Sequence, residues 1–139
     1  MRDGVADVAA CIQTISLSAR RPIASSGAFY EAYNRLGYGF LEFIYSLALE
    51  RELLTRGHTV RREVMVDVFY KGELLASQRV DMIVDDKVIV EIKSTAHLPQ
   101  SAQRQTLNYL KSSSLAVAIL LHFGPEPAFH RLVHTRKAQ

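Results

Sequence analysis

From Val60 the apolar residues stop recurring every third or fourth position and recur every second, and that switch decides what most of this chain can become. Val64, Val66, Val68 and Tyr70 fall on one face of an extended segment, with Met65, Asp67 and Phe69 on the other. Lys71-Gly72-Glu73 turns the chain, a second strand covers roughly Ala76 to Val84, Asp85-Asp86-Lys87 turns it again, and a third strand runs from Val88 to Ser94. Turns this short make the three strands pair antiparallel. A helix then starts near Pro99 and ends near Lys111, and the apolar run Leu115 to His122 reads as a buried strand. Because that helix is a crossover, the strand after it returns parallel to the strand before it. Phe129 to Val133 adds a short edge strand.

Before the switch the period is helical. Ser26 is placed to cap a helix reaching about Leu36, Gly37-Tyr38-Gly39 breaks it, and a second helix is expected from Phe40 to about Arg56. In that second helix Leu41, Ile44, Tyr45, Ala48 and Leu49 share a face, and Gly57 supplies the stop. The expected fold class is therefore α/β of an α+β-like kind, a mixed sheet of four to five strands flanked by helices.

The chain has 139 residues, enough for one domain with one core. Residues 25–139 are expected to form it, and residues 1–24 a loosely ordered N-terminal extension. In that extension Asp3 precedes the apolar stretch Val5 to Leu17, Asp7 interrupts it, and Arg20-Arg21-Pro22 follow it. This is the reverse of a signal peptide's charge order and too short for a membrane helix. Cys11 is the only cysteine, which excludes an intrachain disulfide and a cysteine-cluster metal site and suits a cytoplasmic protein. A net charge of +3, spread along the chain, permits a polyanionic partner without requiring one.

The chemistry concentrates in Val88-Ile-Val-Glu-Ile-Lys-Ser94. Alternation sends Val88, Val90 and Ile92 one way and Ile89, Glu91 and Lys93 the other. If Asp85 to Lys87 form a three-residue loop, Asp81 faces Glu91 across the hairpin, with Cβ atoms about 5 Å apart. Two carboxylates at that distance repel, and a divalent cation between them would remove the conflict. Three charges alone fit an alternating strand with one wet face better than they fit a site, and Lys93 could simply neutralise a carboxylate. Gln105 and Tyr109 share a face of the crossover helix. Glu42 stands near the start of the second helix, where a carboxylate is favourable in any protein. The five histidines, His58, His97, His122, His130 and His134, read as surface or packing residues.

Taken together, Asp81, Glu91-Ile92-Lys93 and Gln105 to Tyr109 resemble the D…ExK…QxxxY pattern of PD-(D/E)XK nucleases. Gly39-Phe-Leu-Glu42-Phe-Ile-Tyr45 is similar to the motif that names the GxxExxY protein family, a branch of that superfamily. The likeness runs from about Ala28 to Val133 and includes Tyr70-Lys71-Gly72, Arg79-Val80-Asp81 and Asn108-Tyr109-Leu110; Val80 stands where the commonest pattern has proline. The resemblance implies a restriction-endonuclease-like core and a nuclease acting on nucleic acid, DNA before RNA. It implies Mg²⁺, or Mn²⁺ in its place, held by Asp81, Glu91, the backbone carbonyl of Ile92 and Glu42. Lys93 would position or polarise the attacking water, and Gln105 and Tyr109 would orient the site or touch the substrate backbone. Arg79, Arg104 and Lys111 are candidates for phosphate contacts. A binding domain without turnover and a buried ion-pair network are the competing readings. No membrane association is expected. A domain this small has little surface for reading bases, which a homodimer or a partner protein would supply.

Overall fold

Gly27 and the Gly37-Tyr38-Gly39 break divide the helical part of the chain into two helices, and the computed structural model of the protein shows how each break is made. The structure describes Ile12 and residues 27–135. Chain order is α1 (Ala28–Leu36), α2 (Glu42–Thr55), β1 (Val60–Tyr70), β2 (Glu73–Val84), β3 (Val88–Lys93), α3 (Gln100–Ser112), β4 (Val117–Phe123) and β5 (Pro127–Val133). The expected extension at residues 1–24 lies outside the described residues except for Ile12, which is fully buried.

Two helix starts differ from expectation. The N-cap of α1 is Gly27, without a side-chain cap, rather than Ser26. Helix α2 begins at Glu42 rather than Phe40, for a local reason. Gly39 sits at φ +108, a conformation that favours glycine, and Leu41 is extended at φ −66 and ψ 151. Phe40 lies before the helix and gives its backbone N–H to the hydroxyl of Tyr45, 3.2 Å away.

The sheet has the order β1-β2-β3-β4-β5, with β3 and β4 parallel and every other neighbour antiparallel. The parallel pair is the one joined through α3, as a crossover requires. Strand β2 starts at Glu73, earlier than expected. Lys71 and Gly72, at φ 49 and φ 80, close a two-residue turn, so pairing continues almost to the tip.

Two apolar layers cover the sheet. One packs Phe29 and Ala32 of α1 and Tyr45, Leu49 and Leu53 of α2 against Val88, Val90, Ile92, Ile119 and Leu121. The other packs Tyr109 and Leu110 of α3 against Val80, Ile83, Ile89 and Ala118. Strands β3 and β4 are buried throughout except at Lys93, which is why they read as near-continuous apolar runs. No helix among the described residues is long and apolar enough to cross a membrane.

Candidate functional site

The three-residue loop Asp85-Asp86-Lys87 sets the register of β2 on β3: Val84 faces Val88, Ile83 faces Ile89 and Met82 faces Val90. One step further this register puts Asp81 opposite Glu91, and there the ladder stops. The two side chains take over the ladder's hydrogen bonds. The backbone N–H of Asp81 donates to Glu91 Oε1 at 2.8 Å, and the N–H of Ile92 donates to Asp81 Oδ2 at 2.7 Å. Each carboxylate thus caps the other strand's backbone, and β2 parts from β3 at a fork that holds both acids.

The neighbouring strand is irregular at the same level. Pairing of β1 with β2 passes from Arg62–Met82 to Val64–Val80, skipping Glu63 and Asp81. Glu63 adopts φ 55, a left-handed conformation costly for a residue with a Cβ and found disproportionately at functional sites. The even-numbered apolar residues change layer across this point: Met82 and Val84 pack with α1 and α2, whereas Val64, Val66 and Val80 pack on the α3 side. A cleft of about 150 Å³ opens here, lined by Glu42, Phe43, Ser46, Arg62, Glu63 and Asp81.

Electrostatics marks the fork as a place of conflict. Burial, then the charge of Asp81, pushes the Glu91 carboxyl up to about 8, with Glu42 adding to the rise and Lys93 opposing it. Burial also raises Asp81. The Ile92 N–H pulls it down, Glu42 raises it and Lys93 lowers it. The phenol of Tyr109 is raised by burial and then by Glu91 and Asp81. Glu42, Asp81, Glu91, Lys93 and Tyr109 are therefore brought into one electrostatic neighbourhood from α2, β2, β3 and α3.

Other expected residues stand further from it. Gln105 is exposed on α3, one turn before Tyr109 on the same face. Arg79, Arg104 and Lys111 are all exposed. Ile92 sits between Glu91 and Lys93, buried on the opposite face. Among the described residues no three His, Cys, Asp or Glu side chains converge as a ready-made metal cage. The donors present are all hard carboxylate or carbonyl oxygens, the set that suits Mg²⁺ or Mn²⁺, and Mg²⁺ commonly keeps several waters and needs only one or two carboxylates. Burial raises both carboxyls, the charge of Glu42 adds to both and that of Asp81 adds to Glu91, and such an ion would offset these costs.

Three supports were not visible from spacing. The first is Tyr45. Its ring stacks on Phe123 at 4.0 Å, and its hydroxyl donates to the Gly37 carbonyl at 2.5 Å while accepting from Phe40, fixing the loop that delivers Glu42. Tyr45→Phe should therefore cost about 1 kcal/mol of stability, because two part-buried backbone groups lose their partner; urea denaturation measures it, and an unchanged midpoint would mean the loop holds without the hydroxyl. The second is Ser94, whose hydroxyl donates to the Phe40 carbonyl at 2.5 Å and ties the end of β3 to that loop. The third is His122, register partner of Lys93, whose Nε2 lies 2.8 Å from the Thr95 carbonyl and fixes the segment after the lysine. Gly124 leaves room for that ring, since a Cβ there would meet it at 2.6 Å.

Residues 23–132 match the PD-(D/E)XK nuclease superfamily. Among solved structures, the crystal structure of SSO0001 aligns with 68% of this chain and 50% of its own at 23% identity and a TM-score of 0.49. The chain thus spans half the length of that protein. No curated protein matches the sequence.

Proposed function

The chain belongs to the PD-(D/E)XK nuclease superfamily, and from that premise we propose that it hydrolyses phosphodiester bonds in nucleic acid, DNA in preference to RNA, at the fork between β2 and β3. Nucleases of this superfamily generally use divalent metals, and Mg²⁺ is the ion proposed here, with Mn²⁺ as a substitute. The observation that carries the reading is the close pair of half-buried Asp81 and buried Glu91, both raised by desolvation, with Lys93 two residues along the same strand.

Asp81, Glu91, the Ile92 carbonyl and Glu42 would hold the ion, which when bound supplies a nucleophilic water and neutralises charge developing on phosphorus. Each carboxylate gives one oxygen to a backbone amide, Glu91 Oε1 and Asp81 Oδ2, and its other oxygen would serve the cation. Lys93 would place its ammonium against the attacked phosphate, where a fixed cation in a poorly solvated site counts for more than in water. Tyr109 and Gln105 would orient substrate from α3, and Arg79, Arg104 and Lys111 would contact flanking phosphates. Within the superfamily, Gly39, Glu42 and Tyr45 point to the GxxExxY branch. The single cysteine agrees with a cytoplasmic location, and a homodimer or partner protein would extend the substrate-reading surface.

A second reading, binding of nucleic acid or a partner without turnover, draws on the backbone amides that both carboxylates already accept from. Cleavage of plasmid and single-stranded substrates by wild type, Lys93→Ala and Asp81→Ala, with Mg²⁺, Mn²⁺ or EDTA, separates the two. The nuclease reading expects metal-dependent cleavage by wild type and a loss of roughly a hundredfold or more in each variant. Equal cleavage by all three proteins would reveal contamination and sink it. No cleavage by wild type, with metal binding lost in Asp81→Ala, would favour binding alone.

A further inference from the structure

We infer that the larger cleft beside Glu42 takes an unpaired base of the substrate, so that the site is built for single-stranded or frayed nucleic acid rather than for intact duplex; this rests on the nuclease reading above. The cleft measures about 490 Å³, within the range of small-molecule sites, and its walls include Tyr38, Phe40, Leu41, Glu42, Ser94 and Thr95. Glu42 also lines the smaller cleft with Asp81 and Glu63, so the two clefts share the Glu42 wall. Ser94 follows Lys93 directly, which places the other wall one residue from the proposed phosphate-binding ammonium.

The chemistry of the walls selects the occupant. Tyr38, Phe40 and Leu41 are 49%, 45% and 78% exposed, and Phe43 beyond Glu42 is 57% exposed. Large apolar groups are thus held out to solvent around the carboxylate. None of the lining residues is Lys or Arg. A duplex backbone crossing this wall would meet no cation, whereas a base offers a π-face that aromatic rings accept without charge. Bases inside a duplex are stacked on one another, and extracting one costs a few kcal/mol that an unpaired base does not incur. The hydroxyls of Ser94 and Thr95 are engaged with the Phe40 carbonyl and with His122, which leaves little for hydrogen-bond reading of base edges. Recognition is therefore by stacking and tolerant of sequence. The loop that carries the rings is fixed by Tyr45 and Ser94, so the platform is preformed.

The test uses the full chain and a single-stranded oligonucleotide carrying one 2-aminopurine, with the matched duplex alongside, in Ca²⁺ for binding and Mg²⁺ for cleavage. Wild type should bind the single strand at least roughly tenfold more tightly than the duplex and quench the 2-aminopurine on binding. Tyr38→Leu and Phe40→Leu should each lose roughly tenfold in single-strand affinity with duplex binding unchanged, and Phe40→Trp should restore it. Thermal melting checks that each variant is folded. Phe40 also lies edge-on to Tyr45 at 6.1 Å, so Tyr38→Leu is the variant that leaves that packing alone. Equal affinity for single strand and duplex, no binding of either, or unchanged affinity in folded Leu variants overturns the inference. Selective, ring-dependent binding without cleavage in Mg²⁺ would uphold the cleft as a base-binding site and refute the nuclease reading.

Discussion

Glu91→Gln is expected to abolish metal-dependent cleavage, by roughly a thousandfold, while making the metal-free protein more stable at alkaline pH. The two effects have one cause. Glu91 is 5% exposed and lies against Asp81, and burial together with that neighbour raises its carboxyl from 4.5 to about 8. A folded-state value above the unfolded one means that the protonated form favours the fold. Its contribution is complete below about 4.5 and is lost as pH rises through about 8. Without metal, the melting temperature of wild type should therefore fall between about pH 4.5 and 8 and level off above, with Asp81, also raised, adding to the slope. Glutamine keeps the carbonyl oxygen that accepts from the Asp81 N–H but carries no charge, so most of the slope should disappear and the variant should melt several degrees above wild type at the alkaline end. It also removes an anionic ligand, which is why cleavage falls. Melting curves in EDTA across that range, paired with cleavage assays, read both effects. A variant less stable than wild type at the alkaline end would show that the ionised Glu91 carboxylate does not destabilise the fold.

Phe123→Ala should lower stability by about 3–5 kcal/mol, the usual cost of emptying a fully buried aromatic site. Phe123 ends β4 with no exposed surface. Its ring stacks on Tyr45 at 4.0 Å, meets Phe29 edge-on at 4.9 Å and lies 6.3 Å from Tyr33. These contacts join both helices of one layer to the sheet. For a domain with a total stability of about 5–15 kcal/mol, the loss is a large share. The urea midpoint should fall accordingly, and the loop before Glu42 should loosen because Tyr45 loses the ring beneath it. A loss below about 1 kcal/mol would mean the layer can close over the gap.

Much of this architecture was legible because each feature follows from a local rule. The change of period at Val60, the short turns and the crossover helix lead to a mixed sheet with β3 and β4 parallel. The three-residue loop leads to Asp81 opposite Glu91. What was hidden depends on contacts distant in sequence or on unusual backbone. Glu63 looks like any exposed strand residue, and nothing about a glutamate signals φ 55. That Asp81 and Glu91 would replace the ladder's hydrogen bonds depends on β2 and β3 separating, which alternation alone does not reveal. The start of α2 moved from Phe40 to Glu42 because Leu41 is extended, at φ −66 and ψ 151, which spacing does not signal. His122 read as packing, and it is buried, but its hold on Thr95 needed the parallel register to become visible.

The claim on which the rest depends is that the fork between β2 and β3 is a divalent-metal site. Titration of Mn²⁺ into wild type and Asp81→Ala, followed by the electron paramagnetic resonance of the free ion, tests it without requiring turnover. Saturable binding by wild type that Mg²⁺ competes away and that Asp81→Ala loses is the result expected here. No saturable binding by wild type, or equal binding by both proteins, would contradict it.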